Sequence, residues 1–411
     1  MGITLCYETE ERKALIHGGE ITDNAEFHKN IYPIIKLSYD RLPSSALQQC
    51  FSYCSIFPRG YEIDREEIIQ LWMADGFLVP SSREREMEIS MEDIGNDLTS
   101  CSRTVAGNAG CSTLRANEVV SFSEIRRLHL VFNEDMPRRF PEVSIYKDRL
   151  RSLVALEVGD CDKIQNVFRK RNLRVLYLSG STIQKVPASL SKLRHLRYLN
   201  LSSSQNLDVL DDQSVNSLYN LQTLVLNRCT SLSKLPEGTG SMRSLRHLDI
   251  SYTGIKVLPI SVTSLQNLRT LDVSNCTNFE GLPENVEALK DLRSLNLSHT
   301  GIKILPTSVA SLQNLRALDV SNCTNFEGLP ENIGSLKDLL SLNISHTKVS
   351  RLPNSISGLE RLMTLRLHSC PNLEDLPKGI EALRWLKGLD ITGTKVKVVP
   401  DQLLLNGRER L

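Results

Sequence analysis

Cysteine and histidine are the residues of this chain whose types and spacing could do chemistry. Cys229, Cys276, Cys323 and Cys370 recur every 47 residues, and His299 and His346 stand the same interval apart. Such side chains can ligate a metal, close a disulfide, or supply a nucleophile and its base. Thr253, Thr300, Thr347 and Thr394 keep the same interval and fall between the cysteines, in alternating steps of 24 and 23 residues. A strict interval of this kind points to repeated structure, in which every copy carries its own slot. If each copy adds one strand to a parallel sheet, cysteines two strands apart lie about 9 to 10 Å from each other. That exceeds the Cα separation of about 7 Å that a disulfide can bridge. It also denies His299 and His346 a shared metal at bonds of about 2.1 Å. No serine elbow or carboxylate dyad accompanies His247, His299 or His346, so no catalytic constellation is expected. The thiols are expected to act as small buried apolar groups in a turn slot, with Cys161 in the same slot of an earlier copy. Unpaired core thiols imply a reducing compartment, and a cytoplasmic location is expected.

The elements that must position these residues are legible from the leucines. One copy places Leu245, Leu248, Ile250, Thr253, Ile255 and Leu258 in order, and the next places Leu268, Leu271, Val273, Cys276, Phe279 and Leu282. This is L-x-x-L-x-L-x-x-[C/T], a leucine-rich repeat. First leucines fall at Leu153, Leu173, Leu196, Leu221, Leu245, Leu268, Leu292, Leu315, Leu339, Leu362 and Leu386, with a weaker copy around Ile125, Leu128 and Leu130. The fold class expected is therefore α/β: a solenoid of 11–12 repeats over residues 125–402, with a concave parallel sheet on one side. The L-x-L stretch alternates at period two, turning leucines inward and their neighbours outward. One copy cannot bury its own apolar edge, whereas a stack buries a continuous core. Leu-Pro pairs such as Leu258-Pro259 and Leu305-Pro306 mark where the chain leaves for the outer side. The run LQNLRTLDVSNCTNFEGLPENV from Leu265 reappears almost unchanged from Leu312, which suggests duplication of a two-repeat block.

Composition is ordinary for a globular chain of 411 residues, at 40% apolar and 24% charged. A formal net charge of +1 gives no argument for nucleic acid or an anionic membrane. No run of about eighteen apolar residues exists to span a bilayer, and the opening MGITLCYETEERK lacks a signal-peptide core. Gly2 falls short of a myristoylation motif because Cys6 stands where Ser or Thr is wanted.

Residues 1–26 read as an irregular segment, 27–99 as a small, mostly helical domain, 100–124 as a linker rich in Ser, Gly and Asn, and 403–411 as a tail. In the helical domain, Ile31, Ile34, Ile35, Ser38 and Leu42 mark one helix face, and Leu47, Cys50, Phe51 and Cys54 a second. A third helix opens at Asp64, whose carboxylate caps it while Glu67 reaches back, and closes at Gly76; Ile68, Leu71 and Trp72 form its buried stripe. With Phe77-Leu78-Val79 as a strand, this is the outline of a winged helix. A winged helix that reads DNA wants basic residues on its third helix, whereas this one offers Arg65 against Asp64, Glu66, Glu67 and Asp75. Nucleic acid is not an expected partner.

The run IKLSYDRLPSSALQQCFSYCSIFPRGYEIDREEIIQLWMADGFL, from Ile35 to Leu78, resembles the winged helix of plant intracellular nucleotide-binding leucine-rich-repeat disease-resistance proteins of the coiled-coil class. The C/T-type repeats are similar to those of the same family. The resemblance implies an innate-immune receptor in which a nucleotide-binding core cycles between ADP and ATP, and the repeats sense pathogen effectors or guarded host proteins. No G-x-x-x-x-G-K-[ST] phosphate loop is present and no Gly-Lys pair occurs anywhere. Met91-Glu92-Asp93 stands in for no Met-His-Asp motif, and Val209-Leu210-Asp211-Asp212 is already spent on a repeat. The chain thus reads as the carboxyl-terminal portion of such a receptor without its nucleotide-binding core: no enzyme, no cofactor, no membrane association.

A protein partner is expected on the concave face. The central outward slot reads Tyr177, Asn200, Val225, Asp249, Asp272, Asn296, Asp319, Asn343, Arg366 and Asp390. Tyr177, Tyr198, Val225, His247, Asp249, Tyr252, Arg366, His368 and Asp390 are the candidate protein-binding residues, chiefly because aromatic and cationic groups anchor interfaces. A repeated arginine column (Arg174, Arg197, Arg246, Arg269, Arg293, Arg316) would balance the acidic members. Two other readings compete: an extracellular leucine-rich-repeat inhibitor or receptor ectodomain, and part of an ADP/ATP switch whose nucleotide core lies outside the chain. The first would show Asn in the turn slot and cysteine pairs at the ends.

Overall fold

In a computed structural model of the chain, the structure describes residues 39–42, 44–57, 61, 63–78, 111–115, 126–131, 149–159, 168 and 171–400. Ile31, Ile34, Ile35, Ser38, Cys161 and the tail lie outside them. The chain divides into two compact bodies, residues 1–131 with 144–154, and residues 132–143 with 155–411.

In the first body, α1 (Ser45–Tyr53) is capped by Ser44, whose hydroxyl accepts from the amide of Leu47, and tightens into a 3-10 turn at Cys54–Ile56. Its buried side runs through Cys50, Ser52 and Tyr53 and on to Phe57, while Leu47 and Phe51 are only half-buried. α2 (Arg65–Asp75) begins where Asp64 accepts from the amides of Glu66 and Glu67 and ends at a left-handed Gly76, φ 96°. Ile68, Leu71 and Trp72 are buried on it. Phe77 and Leu78 form a bend instead of the expected strand. The amide of Phe77, like that of Gly76, returns to the carbonyl of Trp72, so it is spent on closing the helix.

The stretch expected to be a linker contains β1 (Cys111–Arg115), which pairs parallel with β2 (Arg127–Val131). Both β1 and β2 belong to the first body. The boundary expected at residue 125 therefore does not separate the two bodies. β3 (Ser152–Ala155) is buried throughout.

The second body is a stack of parallel strands in sequence order. They are β4 (Val175–Leu178), β5 (Tyr198–Asn200), β6 (Thr223–Val225), β7 (His247–Asp249) and β8 (Thr270–Asp272). β9 (Ser294–Asn296), β10 (Ala317–Asp319), β11 (Ser341–Asn343), β12 (Thr364–Arg366) and β13 (Gly388–Asp390) continue it. The register sets leucine on leucine, so Leu224, Leu248, Leu271, Leu295, Leu318 and Leu342 form one buried row. Burying each such side chain contributes about 1.5 to 3 kcal/mol relative to exposure. On the return path most repeats make one 3-10 turn, as at Ile260–Ser264 and Thr307–Ser311, entered through an extended Pro259 or Pro306. A short α3 (Asp212–Val215) takes that place in one repeat, capped by Asp211.

Candidate functional site

Most strands of the second body end in a two-step turn that their own side chains build. The residue closing the strand accepts from the amide two positions on: Asn200 Oδ1 from Ser202, Asp249 from Ser251, Asp272 from Ser274, Asn296 from Ser298, Asp319 from Ser321 and Asn343 from Ser345. This is the local bond for which Asp and Asn suit turns. The acidic ladder of the outward slot thus has a structural task. Its second oxygens are used as well: Asn227, Asn296 and Asn343 donate their side-chain amides to Asp249, Asp272 and Asp319 at 3.1, 3.1 and 3.0 Å. Burial pushes the Asp249 carboxyl above its ordinary range, hydrogen bonds from Ser251 oppose this, and the charge of Asp272 adds to it. In Asp390 burial also pushes upward, but hydrogen bonds from Thr392 and the electrostatic influence of His368 and Arg366 prevail and hold it below its ordinary value.

After the turn comes one residue in the left-handed region. Glu157, Ser203, Arg228, Tyr252, Asn275, His299, Asn322, His346 and Ser369 have φ between 49 and 60°, and Gly180 and Gly393 occupy the same position at 66 and 71°. Their amides donate to the next repeat, for instance Tyr252 to Ser274 at 2.9 Å and His299 to Ser321 at 2.8 Å. The stack thereby over-determines a conformation that costs a non-glycine residue about 1 to 3 kcal/mol.

The Thr/Cys slot follows and is buried. Thr253, Thr300 and Thr347 donate to the carbonyls of Ile250, Leu297 and Ile344. Cys276, Cys323 and Cys370, one repeat later, reach back to the same three oxygens at 3.1, 3.0 and 3.2 Å. Burial pushes Cys229 up to about 12 and raises Cys276 and Cys323 as well, which keeps these thiols protonated donors.

The structure separates the candidate residues into two sets. Tyr177 and Tyr198 are buried, with rings stacked at 6.2 Å, so they are not the solvent-facing anchors that their slot suggested. β4 and β5 are buried on both faces, whereas β7 to β11 alternate between buried and half-buried residues. Val225, His247, Asp249, His368 and Asp390 are half-buried, and Tyr252 and Arg366 are exposed. His247 Nδ1 lies 2.9 Å from Thr270 Oγ1. Arg366 and Asp390 are register partners on β12 and β13. His368 stands where other repeats have serine; its Nδ1 is 2.8 Å from Ser345 Oγ and 3.3 Å from Asp390 Oδ2. Serine, histidine and aspartate thus meet, but at one ring nitrogen, whereas general-base relay needs the two nitrogens to face different partners. The rings of His346 and His368 stand perpendicular with centroids 4.8 Å apart.

In the first body, sequence reasoning missed a buried ion pair. Arg127 Nε donates to Asp75 Oδ2 at 2.6 Å, and its guanidinium lies 4.6 Å from the centre of the Phe77 ring. The partners are far apart in the chain, and no local signal joins them.

Comparison with known proteins agrees with this layout. A leucine-rich repeat region matches residues 172–281 and 322–396, and a disease resistance protein winged helix domain matches residues 56–104. The chain thus shares both of these domains with disease-resistance proteins. The disease resistance protein SUMM2 of Arabidopsis thaliana is 28% identical over 233 residues, 56% of this chain and 24% of that protein. The disease resistance protein RFL1 of the same plant is 28% identical over 239 residues, 58% of this chain and 25% of that protein. The chain thus spans about a quarter of the length of these curated family members. Among solved structures, a leucine-rich-repeat protein of Leptospira interrogans superposes with a TM-score of 0.53 at 24% identity, covering 68% of this chain and 75% of that one. The Toll–Spatzle complex gives 0.52 at 16% identity, covering 70% of this chain and 42% of that one. Both likenesses concern the fold. Among the described residues, no helix is long and apolar enough to cross a membrane.

Proposed function

We propose that this chain is the protein-recognition part of a plant disease-resistance receptor, sensing a pathogen effector or a guarded host protein through the open side of its repeat sheet, without catalysis of its own. The observation that carries the reading is the joining of a disease-resistance winged helix to a parallel array whose strand face exposes Arg366 and half-exposes Val225, with Tyr252 exposed in the turn beside it. Solenoids bind through such faces, and the Ser345, His368 and Asp390 meeting lacks the geometry of a relay. Six described cysteines are free and buried, which favours a reducing, cytoplasmic setting over an extracellular one. α2 carries Glu66 and Glu67 in its first turn and no basic residue in its last, which speaks against DNA.

Proximity labelling in plant cells tests the reading. The chain and its Val225→Glu/Arg366→Glu variant are compared at equal abundance. Proteins labelled by the first and lost with the second support recognition through the strand face; identical profiles overturn it. Titration with ADP and ATP is expected to give no heat above dilution.

A further inference from the structure

Beside the strand face, several residues occupy a backbone conformation that their side chains disfavour. Arg228, Tyr252, His299 and His346 lie at φ 60, 56, 57 and 57°. Glycine enters this region freely and asparagine tolerates it, whereas a bulky residue there is an outlier. The array itself uses the easier residues at the same position: Gly180, Asn275, Asn322 and Gly393. The turn therefore has no need of arginine, tyrosine or histidine. All four present their side chains to solvent. They are also organised: the Arg228 guanidinium lies 4.8 Å from the centre of the Tyr252 ring, and His346 meets His368 edge-on. From Arg228 through Tyr252, Asn275, His299, Asn322 and His346 to Ser369 the column holds no carboxylate. Of the strand carboxylates, Asp249, Asp272 and Asp319 turn both oxygens onto neighbouring donors, and Asp390 is paired with His368 outside the column.

We infer that this left-handed ridge binds an extended acidic polypeptide segment of a protein partner, with Arg228 and Tyr252 as one anchor and His299 and His346 as the other. The inference rests on the reading of the array as a protein-recognition surface and names the chemistry of its partner. Arginine and imidazole donate to carboxylates, and tyrosine offers a rigid apolar face beside them. Tyr252 and His346 are four strands apart, about 19 Å at about 4.8 Å per strand. About six extended residues span that distance.

The test is a peptide array graded in net charge from strongly acidic to strongly basic, probed with the whole chain and two double variants, Arg228→Asn/Tyr252→Asn and His299→Asn/His346→Asn. Asparagine is what the fold already uses at this position, so the melting temperature is expected to hold or rise. Binding to acidic peptides is expected to fall about tenfold or more in each variant, the loss of a single interface anchor. A purely structural column would leave binding unchanged. Equal binding to acidic and basic peptides, or undiminished binding by both variants, overturns the inference. Peptides lost with Val225→Glu/Arg366→Glu but kept by the ridge variants overturn the ridge and leave strand-face recognition intact. Capture of no peptide overturns the ridge, and the labelling experiment then decides the wider reading by itself.

Discussion

Thr253 Oγ1 and Cys276 Sγ meet at 3.3 Å, and both also reach the carbonyl oxygen of Ile250, at 2.7 and 3.1 Å. Thr300 and Cys323, and Thr347 and Cys370, repeat the arrangement at 3.3 and 3.5 Å. At the opposite junction of the Cys276 and Cys323 repeats the link differs: Asn296 donates to Asp272 and Asn343 to Asp319. Threonine-to-cysteine junctions are joined through the buried slot, and cysteine-to-threonine junctions through an amide and a carboxylate on the strand face. The 47-residue period is a property of these two kinds of junction.

Thr300→Val removes the donor to a buried carbonyl and the polar contact to its thiol neighbour. It is expected to lower stability by about 1 to 2 kcal/mol in urea unfolding. Hydrogen exchange should quicken most between Leu297 and Cys323. Unchanged exchange there would contradict the role given to the hydroxyl.

Because burial holds Cys229 near 12 and raises Cys276 and Cys323, few of these thiols ionise at pH 8. Alkylation followed by peptide mapping should find them at least about a hundredfold slower in the native chain than in urea, since the thiolate is the reacting form. Rapid native labelling of Cys229 would show that its slot is open.

The Arg127 and Asp75 side chains are 8% and 0% exposed, so breaking the pair leaves a buried charge without its partner. Arg127→Met alone is expected to destabilise the first body by about 3 to 5 kcal/mol, while Arg127→Met with Asp75→Leu recovers much of it. Thermal unfolding of the single and double variants decides. A double variant as unstable as the single one counts against a charge-driven loss.

Asp211 is held down at about 2, from an ordinary value near 3.8, by hydrogen bonds from Lys185 and Ser214 that outweigh its burial. A depressed carboxylate contributes stability above its unfolded value, and the contribution disappears as pH falls through the folded one. Asp211→Ala should therefore lower the melting temperature at pH 7 and progressively less between about pH 4 and pH 2. The loss at pH 7 should be about 1 kcal/mol, the usual effect of removing a helix cap. A pH-independent difference would remove the ionised cap from the account.

Local signals carried much of this architecture. Period-two leucines such as Leu248 and Ile250 placed the interior, and Asp64 and Gly76 placed both ends of α2, because each depends on neighbours within a turn. Periodicity tells which way a side chain points but not whether that face is covered, so Tyr177 and Tyr198 were misread as exposed. β1 was missed because a five-residue strand in a Ser- and Gly-rich stretch is stabilised by a partner farther along the chain. The left-handed column had left a trace in Gly180, Asn275, Asn322 and Gly393, one place before the Thr/Cys slot. That trace was obscured because His299 and His346 invited a metal-site question.

The alternation of junctions also limits how such an array can change in length. Recombination that inserts or removes a matched couple leaves every hydroxyl beside a thiol and every amide beside a carboxylate. An exchange displaced by one coil would set like against like at the seam, two thiols in one slot. Heredity of this region should then proceed in even steps, with odd alleles selected against by misfolding before any effect on ligand choice is felt.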